Sequence, residues 1–227
     1  MYNALMHCSA HRSAAWTLFT AALFALIGNA PILQAKETAA ESYPETIAVL
    51  HMLYGSEVRA REHYLAFSDA ALKEGHINIA HMLKAIAASE HVHAGNFKRI
   101  LKSLGVEVQA VDLTSIKVST TKENLRYTTE VELSEIDKEY PRYIHRISPE
   151  LHKEALEYIN YAWEAERQHR ELIKEIESGT GMFFNVLLQR FKKNVGNYYV
   201  NQNCGATVHE LPEKVCPVTT TSPFTPR

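Results

Sequence analysis

Apolar residues recur every three or four positions through the middle of this 227-residue chain. In the first such stretch, which follows Pro44, the apolar positions are Ile47, Leu50, Leu53, Tyr54, Ala60, Tyr64 and Phe67. A period of three to four residues gathers apolar side chains on one face of a helix. Glu74-Gly75 is typical of a helix end, and the segment from Ile77 to Leu104 reads as the next helix, closed by Gly105. The pattern therefore predicts a helical hairpin.

The stretch from Val106 to Thr121 differs from this hairpin. It is rich in valine and threonine, shows no helical stripe and has the length of a crossover connection. Helical periodicity resumes near Lys122 and continues through Tyr140-Pro141. These residues predict a third helix after a long connection.

Ser148-Pro149-Glu150 predicts the start of a fourth helix. Ser148 suits the N-cap, Pro149 the first turn, and Glu150 the positive end of the helix dipole. This helix is expected to run to about Glu177, where Gly179 and Gly181 end it. Two hairpins with one long connection predict an all-α protein, a ferritin-like four-helix bundle with one long crossover over residues 44–180. Residues 181–197 are expected to form a linker with a short helix, and 198–227 a small loop-rich C-terminal segment.

The N-terminal residues 1–35 predict a signal peptide. Arg12 is followed by an apolar run from Ala14 to Ile27, which suits a signal-peptide core and is short for a membrane span. Leu33-Gln34-Ala35 is the expected cleavage site. Export, most simply to a periplasm, is the prediction, and an uncleaved N-terminal membrane anchor is the alternative.

Composition argues against nucleic acid as a partner and leaves metal or proton chemistry open. Hydrophobic residues make up 46% of the chain and charged residues 22%, a balance typical of globular proteins. The formal net charge of −2 and the lack of a basic stripe give no electrostatic basis for binding nucleic acid. Twelve histidines make metal or proton chemistry worth seeking.

The two predicted hairpins repeat one arrangement of potential metal ligands. In each, a lone glutamate on one helix is followed by a Glu-x-x-His on its partner. Residues three apart share a helix face, so each motif directs a carboxylate and an imidazole to one point. Di-iron and di-manganese carboxylate bundles use this arrangement. The six predicted ligands are Glu57, Glu90, His93, Glu135, Glu166 and His169.

Charge supports the same site. Four carboxylates that converge inside a bundle would repel one another and would be costly to remove from water. Two divalent cations cancel their charge, and two neutral imidazoles complete the set. Oxygen ligands with some nitrogen suit iron or manganese, and zinc is a further alternative. A single Glu-x-x-His is usually a solvated face, but two in matching positions favour a metal site.

Several segments resemble the rubrerythrin family. They are Glu57-Val58-Arg59-Ala60-Arg61-Glu62-His63-Tyr64, Lys73-Glu74-Gly75-His76 with Ile79-Ala80, Ser89-Glu90-His91-Val92-His93-Ala94, and Tyr140-Pro141. The resemblance covers roughly Ile47 to Glu177. It implies a non-haem di-iron centre that reduces hydrogen peroxide or dioxygen with electrons from a rubredoxin-type iron centre, and it implies a homodimer.

One departure from the family concerns the third helix. Rubrerythrins carry an extra glutamate three residues after the lone glutamate of this helix, and the matching residue here is Lys138. A lysine cannot ligate while it is protonated. This departure keeps open a second function, a ferritin-like protein that oxidises and handles iron. A third is a structural or interaction module that keeps a metal for stability only.

A second departure concerns the C-terminal tail. Asn201-Gln202-Asn203-Cys204-Gly205 and Cys216-Pro217-Val218-Thr219 resemble the two metal-binding turns of a rubredoxin, which needs four thiolates. Asn201 and Thr219 stand where two of those thiolates would be, so the tail is expected to lack an iron site and to need an external electron donor. Cys204 and Cys216 then either form a disulfide, which export would favour, or stay as two free thiols without a function.

Two tyrosines are candidates for support of the metal ligands. Tyr64 follows Glu57 by about two helical turns, and Tyr143 follows Glu135 by slightly more. Each hydrogen-bonds an opposing carboxylate or simply fills the core, and the sequence favours neither interpretation.

Overall fold

The computed structural model describes residues 39–177, 197–208 and 224–226. Within these ranges, the side chains of residues 131–134, 175–177 and 224–226 are not described. The predicted signal peptide and the predicted linker, apart from its last residue, lie outside the described residues. Among the helices that are described, none is both long and apolar enough to cross a membrane.

The predicted four-helix bundle is confirmed. After a short helix α1 (Ala39–Ser42), α2 (Pro44–Lys73) and α3 (Ile77–Ser103) form the first hairpin. A segment without helix or strand, residues 104–120, separates them from α4 (Thr121–Ser134). A π-helical turn (Glu135–Glu139) joins α4 to α5 (Tyr140–Ile147), and a 3₁₀ turn (Ser148–Glu150) precedes the last helix, α6 (Lys153–Glu177).

The start of α4 is fixed from two directions. Thr120 and Glu123 form a capping box, in which each side chain accepts a hydrogen bond from the other residue's backbone N–H at 3.3 Å. The carboxylate of Glu74, at the end of α2, accepts the backbone N–H of Thr121 at 3.0 Å. An anion from the first hairpin therefore satisfies the exposed N–H groups at the start of the second.

Ser148-Pro149-Glu150 does not begin the last helix, contrary to the prediction. Ser148 donates to the carbonyl of Ile144, and Leu151 adopts a left-handed conformation (φ 55°) that interrupts the chain before α6. The carboxylate of Glu150 instead accepts the backbone N–H groups of Glu45 (2.8 Å) and Thr46 (2.7 Å) at the start of α2. Glu150 therefore caps the start of α2, and the prediction that it lies in the first turn of the fourth helix is wrong.

The bundle interior consists of two hydrophobic clusters on either side of a polar layer. On each of α2, α3 and α6 the predicted ligands lie between residues of the two clusters; on α3, for example, Ala87 belongs to one cluster and Phe97 to the other. One cluster includes Phe67, Ile79, Met82, Leu83, Ile86, Leu125 and Ile173, and the other includes Leu50, Leu53, Ile100, Leu101, Tyr140, Ile147 and Ile159. The polar layer is therefore enclosed by apolar packing.

The C-terminal segment contains a small antiparallel sheet. Its strands are β1 (Tyr199–Asn201), β2 (Thr207–Val208) and β3 (Phe224–Pro226), in the order β2-β1-β3. Val200 pairs with Thr207 on one side and with Thr225 on the other. Tyr198 and Val200 join the hydrophobic cluster of α3, which attaches this segment to the bundle.

Candidate metal centre

Five of the six predicted ligands are buried in the polar layer. Glu57 on α2, Glu90 and His93 on α3, and Glu166 and His169 on α6 are each at most 4% exposed. The sixth, Glu135, is the first residue of the π turn and is half-buried. Four of them, Glu57, Glu90, His93 and Glu166, offer ligand atoms that all lie within 4.8 Å of one another. The two hairpins therefore bring five of the six predicted residues together in one layer.

The imidazole of His93 faces three carboxylates with one ring nitrogen. Its Nδ1 lies 3.0 Å from Glu90 Oε2, 3.4 Å from Glu166 Oε1 and 3.7 Å from Glu57 Oε2. The Nδ1 of His169 likewise lies 3.2 Å from Glu90 Oε1 and 3.2 Å from Glu166 Oε2. Glu90 and Glu166 thus bridge the two histidines, each through both of its oxygens.

Electrostatics in this layer indicates a missing positive charge. Burial raises the pKa of Glu57 to about 8, although His93 opposes this shift. Burial and the neighbouring Glu166 raise the pKa of Glu135 to about 7. Burial alone would lower the pKa of His169, but Glu90 and Glu166 raise it to about 10. In the protein without metal, protons are therefore held where cations would neutralise the carboxylates.

The donor set fits two divalent cations. Oε1 of Glu90 is buried and accepts no hydrogen bond of acceptable geometry, although Nδ1 of His169 lies 3.2 Å away. A buried acceptor without a hydrogen bond is costly unless a cation binds it. Carboxylate oxygens with two imidazole nitrogens are the ligands that suit iron and manganese.

Glu135 occupies the edge of this cluster. Its Oε1 accepts a hydrogen bond from Ser56 Oγ at 3.0 Å, and it lines the same cavity as Glu57, Glu90 and Glu166. It does not belong to the tight group of four ligand atoms. The structure thus places Glu135 beside the site without bringing its carboxylate among the others.

The sequence did not single out Tyr140 for the site, although its side chain hydrogen-bonds the predicted metal ligand Glu57. Its hydroxyl donates to Glu57 Oε1 at 2.8 Å, and the tyrosine is 2% exposed. Tyr140 follows Glu135 by five residues, which in a regular α-helix would place it on a different face. The π turn has about 4.4 residues per turn, so it rotates Tyr140 back toward the cluster. The indole N–H of Trp163 donates to the carbonyl of Ile136 within this turn at 2.9 Å.

Tyr64 and Tyr143, which the sequence singled out, both line cavities beside the carboxylates. Tyr64 is buried and lines the cavity beside Glu57. Tyr143 is half-buried, packs against the guanidinium of Arg142, and lines a smaller cavity together with Glu57 and Glu135. Their proposed hydrogen bonds to opposing carboxylates stay predictions.

Lys138 is exposed in the π turn. The next residue, Glu139, is half-buried and lines the small cavity beside Glu57 and Glu135. Glu135 and Glu139 are four residues apart, and positions four apart lie on one face of a helix.

A cavity of about 280 Å³ connects the carboxylates with the surface. Buried Glu57, Glu90 and Glu166 line its inner end, and exposed Ser115 and Tyr127 lie at its outer part. Apart from the glutamates already described, Arg59 is its only charged lining residue among those the structure describes, and His63 lies beside it. Burial and the Arg59 charge lower the pKa of His63, so it is neutral at physiological pH.

In the tail, Cys204 is fully buried and packs with Ala206 and Tyr161. Its suggested disulfide partner, Cys216, lies outside the described residues, so the disulfide stays a prediction. Oδ1 of Asn201 accepts the backbone N–H groups of Asn203 and Cys204 at 2.9 and 3.0 Å.

Fold and site together define a ferritin-like carboxylate bundle with a buried glutamate and histidine centre. The rubrerythrin family model matches residues 48–177, and the chain belongs to the rubrerythrin family. It is 30% identical to rubrerythrin-2 of Clostridium acetobutylicum, over 76% of this chain and 90% of that protein. It is also 30% identical to a putative rubrerythrin of Methanocaldococcus jannaschii, over 76% and 87%.

Solved structures share the fold. Nigerythrin in a mixed-valence state superposes with a TM-score of 0.68 at 22% identity, over 80% of this chain and 86% of that one. A di-iron bacterioferritin of Desulfovibrio desulfuricans gives 0.62 at 20% identity, over 68% and 90%. The resemblance that was based on the motifs is therefore confirmed for the bundle. Family membership and the buried cluster support two iron ions as the cofactor.

Proposed function

We propose that this chain is a di-iron oxidoreductase that reduces hydrogen peroxide or dioxygen with electrons from an external donor. The observation that carries the proposal is the buried cluster of Glu57, Glu90, His93 and Glu166 at the inner end of a cavity that reaches the surface. When bound there, ferrous ions would supply the electrons for the reduction.

The chain's own residues hold the site and control access to it. The carboxylates of Glu90 and Glu166 bridge the two halves of the bundle, and Tyr140 orients Glu57 through its hydrogen bond. The apolar clusters on both sides keep bulk water from the polar layer. Small neutral molecules such as peroxide and dioxygen fit the cavity volume.

Arg59 favours an oxidant over iron as the substrate that travels through the cavity. A guanidinium on the cavity wall repels ferrous ions and does not hinder uncharged peroxide or dioxygen. We expect Arg59→Gln to speed ferrous iron uptake and to leave peroxide consumption by the loaded protein nearly unchanged. Arg61→Gln, on the same helix but outside this cavity, is the matched control. Equal uptake in all three proteins would remove this argument against iron handling.

The central experiment loads the protein with iron without oxygen and then adds stoichiometric peroxide or dioxygen. Rapid peroxide consumption, with the absorption of an oxo-bridged diferric centre, is expected for the proposed oxidoreductase. Iron handling would instead give dioxygen-dependent oxidation with accumulation of iron beyond two ions per chain. A metal that binds but never changes oxidation state would indicate the structural module.

The ligand set has its own test. Glu90→Ala and Glu166→Ala are each expected to abolish tight binding of the second metal ion, because each carboxylate faces both histidines. Metal content per chain measures this. Two ions retained in both variants would mean that the six predicted ligands are wrong.

We further infer that Lys138 stands where the rubrerythrin pattern has its extra glutamate, three residues after Glu135. Lys138 is exposed in the π turn, and Glu135 lies beside the tight group of ligand atoms. Because the missing carboxylate is expected to limit peroxide turnover, Lys138→Glu should raise the rate with peroxide relative to the rate with dioxygen. An unchanged ratio would show that this position does not control the choice of oxidant.

Export, the homodimer and the disulfide stay proposals that rest on the sequence. We propose that the exported protein contains a Cys204–Cys216 disulfide and no iron–thiolate centre, because two of the four thiolates are replaced. Thiol counting on denatured protein from the exported fraction should find no reactive thiol. Two thiols would contradict the disulfide, and a ferric–thiolate absorption band would contradict the loss of the iron centre.

A further inference from the structure

Both predicted ligand histidines turn their second ring nitrogen toward the C-terminal loop. Nε2 of His93 lies 3.2 Å from the carbonyl oxygen of Cys204. Nε2 of His169 lies 3.4 Å from the hydroxyl oxygen of Thr207. The two imidazoles therefore share one neighbouring segment, residues 201–207, which we name the tail loop.

The partners in the tail loop determine which nitrogen carries a proton. A carbonyl oxygen only accepts, so His93 must donate from Nε2. The Thr207 hydroxyl donates to the Gly205 carbonyl at 3.2 Å, which leaves its lone pairs to accept from Nε2 of His169. Both Nε2 atoms are thereby protonated, and both Nδ1 atoms face the carboxylates. Nδ1 is the atom that each histidine can offer to a metal.

The tail loop keeps its shape through its own hydrogen bonds. The side-chain oxygen of Asn201 accepts two backbone N–H groups. The backbone carbonyl of Asn201 accepts the N–H of Gly205 at 2.9 Å, and the backbone N–H of Asn201 donates to the carbonyl of Ala206 at 2.9 Å. An amide oxygen thus closes the turn at a position where the family resemblance expects a metal-bound thiolate.

Side chains of α3 and α6 anchor this loop to the bundle. Ser89 Oγ donates to the Gly205 carbonyl at 2.5 Å, and Asn96 Nδ2 donates to the Asn203 carbonyl at 2.8 Å. From α6, Gln168 accepts the N–H of Thr207 at 3.1 Å. The helices that carry the two Glu-x-x-His motifs therefore also position the loop that contacts their histidines.

Gly205 allows the close approach. It has a φ of +76°, and a Cβ atom there would lie 2.2 Å from Nε2 of His93 and 2.7 Å from Ser89 Oγ. Any other residue would displace either the imidazole or the loop.

We propose that the tail loop is a positioning cap, which fixes His93 and His169 as Nδ1 ligands without binding a metal itself. Cys204, Gly205 and Thr207 are its positioning residues. The inference rests on the two histidines being ligands, as in the proposed function, but not on which oxidant is reduced. The tail, which keeps two of the four thiolates that the family resemblance implies, thereby acquires a structural role at the metal site.

The first test compares glycines that have the same backbone strain. Gly75 and Gly105 have φ values of +80° and +78°, and a Cβ atom added to either would meet nothing within 4 Å. Gly75→Ala and Gly105→Ala therefore carry the strain of Gly205→Ala without its contact to His93. We expect Gly205→Ala to lower zinc and manganese affinity by about 10- to 100-fold, the size typical when support of a ligating histidine is lost. Equal affinity in all three variants would overturn the proposal.

The second test isolates the hydroxyl of Thr207. Thr207→Val should weaken metal binding by about tenfold or more. Thr207→Ser should bind metal as tightly as the wild type, because serine keeps the hydroxyl. Nitrogen-15 NMR of the zinc-loaded protein provides a readout that folding alone would not change. The wild type is expected to show two imidazoles with metal on Nδ1 and a proton on Nε2, and Thr207→Val should speed exchange of the His169 Nε2 proton.

The outcomes separate this inference from the proposed function. Metal bound through Nε2, or equal binding by the valine and serine variants, would overturn the cap whatever the activity. The expected spectra in a protein that consumes neither peroxide nor dioxygen would leave the cap in place and reject the oxidoreductase. Circular dichroism of each variant without metal identifies a fold lost outright, and in that case the metal-bound nitrogen in the wild-type spectra decides.

Discussion

Tyr140 supports the metal site through a single buried hydrogen bond. Its hydroxyl donates to the charged form of the Glu57 carboxylate, whose pKa is raised to about 8 by burial in the protein without metal. Removal of the donor destabilises the carboxylate further, so protons compete better with metal for it.

We therefore expect Tyr140→Phe to weaken metal binding near neutral pH by about 1.5–3 kcal/mol, the value of a hydrogen bond to a charged group. The loss should shrink at higher pH, where protons compete less. Metal titrations at several pH values measure both effects. Tyr43→Phe is the matched control, because that ring packs on His152 beside the start of α2. Equal affinities of the two variants would contradict the role of Tyr140.

Local spacing explains why the sequence identified most residues of the buried cluster and missed Tyr140. Glu90 with His93, and Glu166 with His169, are pairs whose shared face follows from regular helix geometry. Tyr140 reaches Glu57 only because the chain takes a π turn at 135–139, and no short-range pattern in the sequence marks such a turn. The contacts of His93 and His169 with the tail loop join residues that are 111 and 38 positions apart, so they depend on tertiary packing.

At the scale of helices, acidic side chains from one part of the chain cap helices from another. Helix ends and lengths were predicted to within a few residues, because Gly75, Gly105 and the apolar period are local signals. The start of α6 was predicted wrongly, because Leu151 takes a left-handed conformation and the Glu150 carboxylate accepts hydrogen bonds from the start of α2. A cap supplied over a sequence distance of 105 residues cannot be read from neighbouring positions.

Glu150→Gln is expected to lower the free energy of unfolding by about 1 kcal/mol at neutral pH, since glutamine keeps only one acceptor oxygen. Burial alone would raise the pKa of Glu150, but hydrogen bonds from Thr46 and Glu45 hold it below its ordinary value. A lowered pKa gives stability that is present above the unfolded-state value of 4.5 and is lost as pH falls through the folded-state value.

The difference between wild type and Glu150→Gln should therefore disappear in acid. Denaturant unfolding of the metal-free protein at pH 7 and below pH 4 measures it. Glu154→Gln, which removes an exposed partner of Arg99 rather than a cap, serves as the control and should have a small effect. A difference that stays constant with pH would show that the Glu150 charge is not what stabilises α2.

At the scale of the whole molecule, the polar layer between two hydrophobic clusters makes stability depend on metal and pH. Burial raises the pKa of Glu57 to about 8 and that of Glu135 to about 7. For carboxyl groups with raised pKa values, the favourable contribution is present at low pH and is lost as pH rises toward those values. His169, with a pKa of about 10, contributes stability below 6.5 that is lost as pH rises through 10.

We expect the metal-free protein to lose stability between pH 6 and pH 8, and the metal-loaded protein to lose much less. Metal binds the deprotonated ligands, so the gap between the two melting temperatures should widen as pH rises. Thermal unfolding with a chelator and with manganese, at both pH values, measures the gap. Glu57→Gln should reduce the loss in the metal-free protein. A gap that narrows with pH would contradict these charge states.

The connection between the hairpins, residues 104–120, contains none of the six predicted ligands. Within it, Asp112 and Leu113 are exposed and precede the capping box of Thr120 and Glu123. Glu74 and Glu150 already link the two hairpins without it. A chain cut after Asp112 would give two fragments, each with one lone glutamate and one Glu-x-x-His. The shared hydrophobic clusters would favour reassociation of the fragments, and metal would strengthen it, because neither fragment carries all six predicted ligands. The same metal centre would then serve as a split reporter for iron.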